Sequence, residues 1–127
     1  MSWRNLIMKK VLIVEDSRLI AGAIKLVLEN QNIQVQHLTD GSLVLEDVKK
    51  NMYDLIVLDL MMPGVSGIDV FKQLKADTQT KDVKVLILTA KADAIRADNF
   101  LANCDSFITK PFDNDSLVKE IKRLLGM

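Results

Sequence analysis

Tyr53-Asp54-Leu55-Ile56-Val57-Leu58-Asp59 contains a β-rich apolar run that closes on an acid. A short unbroken apolar run between polar neighbours fits a strand buried on both faces, as in the middle of a parallel sheet. One acid at a strand end would be a local oddity, but this chain repeats the pattern. Residues 11–14 close on Glu15-Asp16, residues 85–88 on Thr89, and residues 107–109 on Lys110-Pro111. If these strands lie parallel and side by side, all four signals meet at one edge of one sheet. Three carboxylates, a hydroxyl and an ammonium gathered there describe a site for a metal ion and a phosphoryl group.

Outward from that run, strands and helices alternate. Residues 10–14 read as a first strand, followed by a helix from a Ser17 cap to Glu29 and a break at Asn30-Gln31-Asn32. Residues 33–38 alternate apolar with polar, as suits a strand nearer the sheet edge. Asp40-Gly41 is turn chemistry before a helix over 42–50. After the third strand, Pro63-Gly64 and Ser66-Gly67 read as a flexible loop into a helix over 68–76. A fourth strand over 83–88 is followed by a helix within 92–102, ended by Asn103. Residues 107–109 form a short fifth strand. A cap at Asp113 or Asn114 opens the last helix, in which Leu117, Ile121, Leu124 and Leu125 recur at helical spacing.

Five strands interleaved with five helices predict an α/β fold, a doubly wound five-stranded parallel sheet flanked by five helices. Right-handed crossovers leave few topologies for it. Ligands of such sheets bind beyond the carboxyl ends of the strands, where strand order reverses. The four signals fall on that edge.

The 127 residues suffice for one domain with a sizeable core. Seventeen basic residues balance seventeen acidic ones, which argues against nucleic acid as an obligatory partner. The single cysteine, Cys104, cannot close an internal disulfide, which fits a reducing, cytoplasmic setting. No apolar stretch approaches the roughly 20 residues of a membrane span, and the first residues lack the form of a signal peptide. Residues 1–7 read as an extension of open origin, because Met8-Lys9-Lys10-Val11 would itself be a natural domain start, and 8–127 as the domain.

Glu15, Asp16 and Asp59 against Lys110 leave a net charge of about −2 in a small space, which like charges do not tolerate without compensation. A divalent cation would neutralise it, and an all-oxygen set with open positions suits Mg²⁺. Thr89 and Lys110 would donate to phosphoryl oxygens, and Asp59 would be the nucleophile that forms an aspartyl phosphate.

Four strings carry a resemblance: Val11-Leu12-Ile13-Val14-Glu15-Asp16-Ser17, Leu55-Ile56-Val57-Leu58-Asp59-Leu60-Met61-Met62-Pro63-Gly64, Leu88-Thr89-Ala90 and Thr109-Lys110-Pro111-Phe112. In this order, each at a strand end, they resemble response regulator receiver domains of two-component signalling, from about Met8 to the C-terminus. The resemblance implies a flavodoxin-like strand order 2-1-3-4-5. It implies that Asp59 accepts phosphate from a histidine kinase or a histidine phosphotransfer protein, without the chain being an enzyme beyond its own phosphorylation and dephosphorylation. Asp16 would bind Mg²⁺ directly, Glu15 through water, and the Met61 carbonyl would complete the protein ligands. Thr89 would be the switch hydroxyl, Phe107 the switch aromatic, and Lys110-Pro111 a cis peptide. The output surface would combine the helix within 92–102, the fifth strand and the last helix, with Ile95, Asn99, Lys119 and Arg123 as candidates. A downstream output protein or fused effector would read it, and dimerisation through that face stays open.

Two positions depart from the family pattern. Asn103 stands where receivers often have Gly, and Phe107 lacks the hydroxyl of the commoner Tyr. Lys91 and Met61 sit where family members vary. Plain core packing competes with a switch role for Phe107, and helix capping with metal binding for Glu15-Asp16. His37 closes the second strand without metal-ligand spacing near it and reads as structural, and Cys104 reads as a small apolar filler. On the first helix, Ile20, Ala23, Ile24, Val27 and Leu28 would cover the sheet. Leu19, Gly22 and Leu26 make a second stripe beside the acid pair, a candidate docking surface for a partner's helices. Competing functions are an interaction module that is never phosphorylated, disfavoured by the complete set of acids, Thr89 and Lys110, and an aspartate-nucleophile phosphatase. The latter resembles Asp-x-Asp at its nucleophile, where this chain has Met61.

Overall fold

A computed structural model describes residues 8–90 and 103–127. Its five strands are β1 (Lys10–Val14), β2 (Gln34–Leu38), β3 (Leu55–Asp59), β4 (Lys84–Thr89) and β5 (Ser106–Thr109). The helices among the described residues are α1 (Arg18–Glu29), α2 (Val44–Asn51), α3 (Gly67–Ala76) and α4 (Asn114–Leu124). The helix expected within 92–102, together with Lys91, Ile95, Asn99 and the 1–7 extension, lies outside the described residues.

All strand pairs are parallel, in the order β2-β1-β3-β4-β5. β1 and β3 are adjacent and run between both helix layers, which explains their unbroken apolar sequence. Alternate side chains on each strand point to opposite faces. Leu12, Ile56, Leu58, Val85 and Ile87 pack against Val44 and Val48 of α2 and Val70, Phe71 and Leu74 of α3. On the other face Val11, Ile13, Leu55, Val57 and Leu86 meet Ala21, Ile24 and Leu28 of α1 and Leu117, Ile121 and Leu124 of α4. Each large aliphatic side chain so buried stabilises the fold by about 1.5–3 kcal/mol relative to exposure.

Side-chain caps set the helix starts. Ser17 accepts from the Ile20 N–H, Ser66 from Asp69, and Asp113 from Ser116. The expected start of the second helix at Ser42 shifts to Val44, because Asp40 caps a 3₁₀ turn over Gly41–Leu43 first. On α1 the buried small residue is Ala21 and not Ala23, which is exposed. Ala21 shares a stripe with Ile24 and Leu28 at i, i+3 and i+7, and these two large residues set the phase of the buried face. The stripe of Leu19, Gly22 and Leu26 is exposed, with Leu19 at 85% and Leu26 at 64%. β2 is an edge strand, as its alternation predicts.

Candidate functional site

β1 and β3 end side by side, so Glu15-Asp16 and Asp59 emerge at the same edge. One carboxylate oxygen from each of Glu15, Asp16 and Asp59 lies within 4.8 Å of the others. Glu15 and Asp59 are buried at 1% exposure, whereas Asp16 is exposed. Lys110 follows β5 and reaches back over the sheet edge. Its Nζ lies 3.2 Å from Glu15 Oε2 and 3.3 Å from Asp59 Oδ2. The opposite oxygens are also held: Ser17 N–H donates to Glu15 Oε1 at 3.2 Å, and Met61 N–H to Asp59 Oδ1 at 3.1 Å. Both buried carboxylates therefore have fixed orientations.

Thr89 closes β4 and is itself buried at 1% exposure. It pairs with Thr109 in the ladder, and its carbonyl accepts the Lys110 N–H at 2.7 Å. The Lys110–Pro111 peptide is cis, as the resemblance implies. Phe107 is 40% exposed on β5, so simple core packing does not account for it. Cys104 is half-buried against the core, and burial pushes its thiol up, which suits a filler. Arg123 pairs with Glu120 on α4.

Among the described residues the electrostatics are those of an anionic pocket that Lys110 only partly compensates. Burial, and then the charge of Asp59, push the Glu15 carboxyl above its ordinary range, with Lys110 only partly opposing them. For Lys110, burial alone would lower the pKa, but Asp59 and Glu15 together outweigh it and raise it. Lys110 thus remains a cation at neutral pH, facing more negative charge than it neutralises. The donor set is hard oxygen, gathered at one point, with Asp16 open to solvent. That chemistry fits Mg²⁺, which binds few carboxylates and keeps several waters. Met61 lies next to the cluster through its N–H, and its side chain is 63% exposed.

One residue of the site gave only a weak signal in the sequence. Gly67 reads as part of a flexible loop, yet it opens α3 directly against β3. A Cβ there would stand 2.2 Å from the Asp59 carbonyl oxygen and 2.6 Å from Leu60 Cα. Its N–H donates to Leu60 O at 3.2 Å. Only glycine permits this approach, which packs α3 against the backbone that carries Asp59. The signal available was a glycine immediately after a good N-cap, Ser66, where a side chain would have been tolerated in an open loop.

The family model described as response regulator receiver domain matches residues 11–122. The response regulator ArlR of Staphylococcus saprophyticus is 38% identical over 119 residues, 93% of this chain and 53% of that protein. The chain spans about half the length of the curated relatives it matches. A solved structure of a putative response regulator from Chloroflexus aurantiacus superposes with a TM-score of 0.85 at 29% identity, covering 94% of this chain and 99% of that one. The response regulator TrrA of Thermotoga maritima, solved in complex with Mg(2+)-BeF, gives 0.81 at 31% identity and covers 92% and 99%.

Proposed function

The chain belongs to the response regulator receiver family, and on that premise we propose that Asp59 is its phosphoacceptor, in a pocket where Glu15, Asp16 and Asp59 hold Mg²⁺. The receiver is the phospho-accepting switch of two-component systems. The observation that carries the assignment is the buried Asp59 carboxylate, fixed by Met61 N–H and Lys110 Nζ inside the three-acid cluster. The Thermotoga relative with Mg(2+)-BeF supports Mg²⁺ as the metal.

In this reading a carboxylate oxygen of Asp59 attacks the phosphorus of a phosphohistidine on a histidine kinase or phosphotransfer protein. The P–N bond breaks, the imidazole nitrogen keeps the bonding electrons, and an acyl phosphate forms on Asp59. Bound Mg²⁺ would neutralise phosphoryl charge, and the Met61 carbonyl would join its ligands. Lys110, already charged and in contact with Asp59, donates to a phosphoryl oxygen, as does the Thr89 hydroxyl. Movement of Thr89 is passed to the β5 side through the Lys110 N–H on its carbonyl, and Phe107 reports it to a partner or a fused effector. The phosphodonor's helices dock beside the site on Leu19 and Leu26. Next to them an open groove of about 530 Å³ is lined by Ile20, Ala23, Pro111 and Phe112. Among the described residues no helix is long and apolar enough to cross a membrane.

Incubation with Mg²⁺ and a small acyl phosphate, followed by intact-mass measurement, tests the assignment. A gain of one phosphoryl group is expected, absent from Asp59→Asn and in chelator. A folded wild type that binds Mg²⁺ and gains nothing would overturn it.

A further inference from the structure

Asp16 differs from its two partners in how it is held. Hydrogen bonds fix the Glu15 and Asp59 carboxylates, but Asp16 is exposed, and no hydrogen bond or ion pair from a described residue holds its side chain. Where it emerges from the fold is set by its backbone. The Glu15 carbonyl and the Asp16 nitrogen share one planar peptide unit, so holding that carbonyl orients the residue that follows. Both polar backbone groups of Glu15 are gripped by the end of β2. Its N–H donates to Leu38 O at 3.1 Å, and its carbonyl lies 2.8 Å from His37 Nε2. A carbonyl can only accept, so Nε2 carries the proton. His37, the only histidine of the chain, is half-buried where β2 ends.

We infer that His37 is a positioning residue for metal binding: by holding the Glu15 carbonyl it sets where Asp16 presents its carboxylate. The inference rests on Glu15, Asp16 and Asp59 being the Mg²⁺ site. A metal ligand commonly depends on a neighbour that orients it, and here that neighbour acts through the main chain.

Calorimetric Mg²⁺ titration of the whole chain and of His37→Gln and His37→Leu tests it. Glutamine offers an N–H near the place of Nε2, whereas leucine keeps bulk without a donor. His37→Leu is expected to weaken Mg²⁺ binding roughly tenfold and His37→Gln by no more than about twofold. Melting in chelator records any structural cost separately. Equal affinity in all three proteins, or equal weakening in both variants, would overturn the inference. Nitrogen-15 NMR of the metal-free wild type should show a protonated Nε2, and a bare Nε2 overturns it even if His37→Leu does not fold. A wild type that takes up no Mg²⁺ overturns the inference together with the site it rests on. A wild type that binds Mg²⁺ as tightly as His37→Leu overturns the inference alone.

Discussion

The two edges of the sheet treat charge in opposite ways. At the amino edge several polar groups find partners within the protein. Lys10 N–H donates to Asp54 Oδ2, Tyr53 OH to Asp47 Oδ2, and Lys75 Nζ to the carbonyls of Lys81 and Val83. At the carboxyl edge, among the described residues, the Lys110 ammonium faces three gathered carboxylates. The first arrangement is complete without a ligand and the second is not. Burial of Glu15 and Asp59 without full compensation costs stability, and a cation or phosphoryl group with its metal would recover that cost by binding. The contrast separates residues that hold the fold from residues proposed to do its chemistry.

The largest effect expected on that contrast is from Asp59→Asn. Phosphorylation by a small acyl phosphate should vanish, read as loss of the added mass, while the metal-free protein should become more stable by about 1–2 kcal/mol because one of the repelling charges is gone. A melting curve in chelator checks the second half. Destabilisation there would mean that the Lys110 contact outweighs repulsion and that the pocket is not strained by charge.

Gly67→Ala comes next. The added methyl meets backbone, which cannot move aside as a flexible side chain would. Loss of about 2–3 kcal/mol in denaturant unfolding is expected, with slower phosphorylation because the Asp59 backbone shifts. An unchanged rate with the stability loss would show that α3 yields and Asp59 does not.

A pH series addresses Glu15, whose folded pKa is raised by burial and by Asp59 above its ordinary 4.5. A raised acid contributes most when protonated, so its contribution is full below about pH 4.5 and is lost as pH rises through the folded value. In chelator, Glu15→Gln should therefore gain stability relative to wild type as pH rises from 4.5 towards neutrality. Groups outside the pocket titrate alike in both proteins and cancel in the difference, which leaves Glu15 and the partners it touches. Saturating Mg²⁺ should flatten the trend, since it stabilises the ionised form. A gap that moves the other way would contradict the direction of the shift.

How far the sequence reached follows from the same contrast. The carboxyl edge was readable because its residues are chemically unlike the strands they close, and parallel pairing then brings 15, 59, 89 and 110 together. The strands and the Ser17 cap were readable from apolar runs and short polar punctuation, the last helix's cap was narrowed to Asp113 or Asn114, and the strand order came from the family resemblance. Ala21 was not, because a methyl carries too little hydropathy to reveal the phase of a helix. Gly67 and the His37 contact were not, because each depends on the main chain of another element that only the folded chain brings close: Asp59 at the end of β3 for the glycine, Glu15 after β1 for the histidine.

Leu19→Glu and Leu26→Glu should leave labelling by the small phosphodonor within about twofold, because single exposed leucines contribute little to stability. Transfer from a phosphorylated histidine protein should slow by about tenfold or more, since a charge on a docking face must be desolvated. Equal loss from both donors would place the stripe's role in the pocket itself.

The smallest effect belongs to the amino edge. Tyr53→Phe removes the hydroxyl that donates to Asp47 at 2.6 Å, a bond between partly buried groups worth about 1 kcal/mol. The cost stays near that value because the ring remains, with Lys10 5.2 Å from its centre, and because Asp47 keeps the Asn51 amide as a second donor. If the edges are independent, that loss appears in unfolding alone, and the rate of Asp59 phosphorylation does not change. A change in rate would mean that β3 transmits a disturbance from Tyr53 to Asp59 along five strand residues, and the division between a closed edge and a working edge would fail.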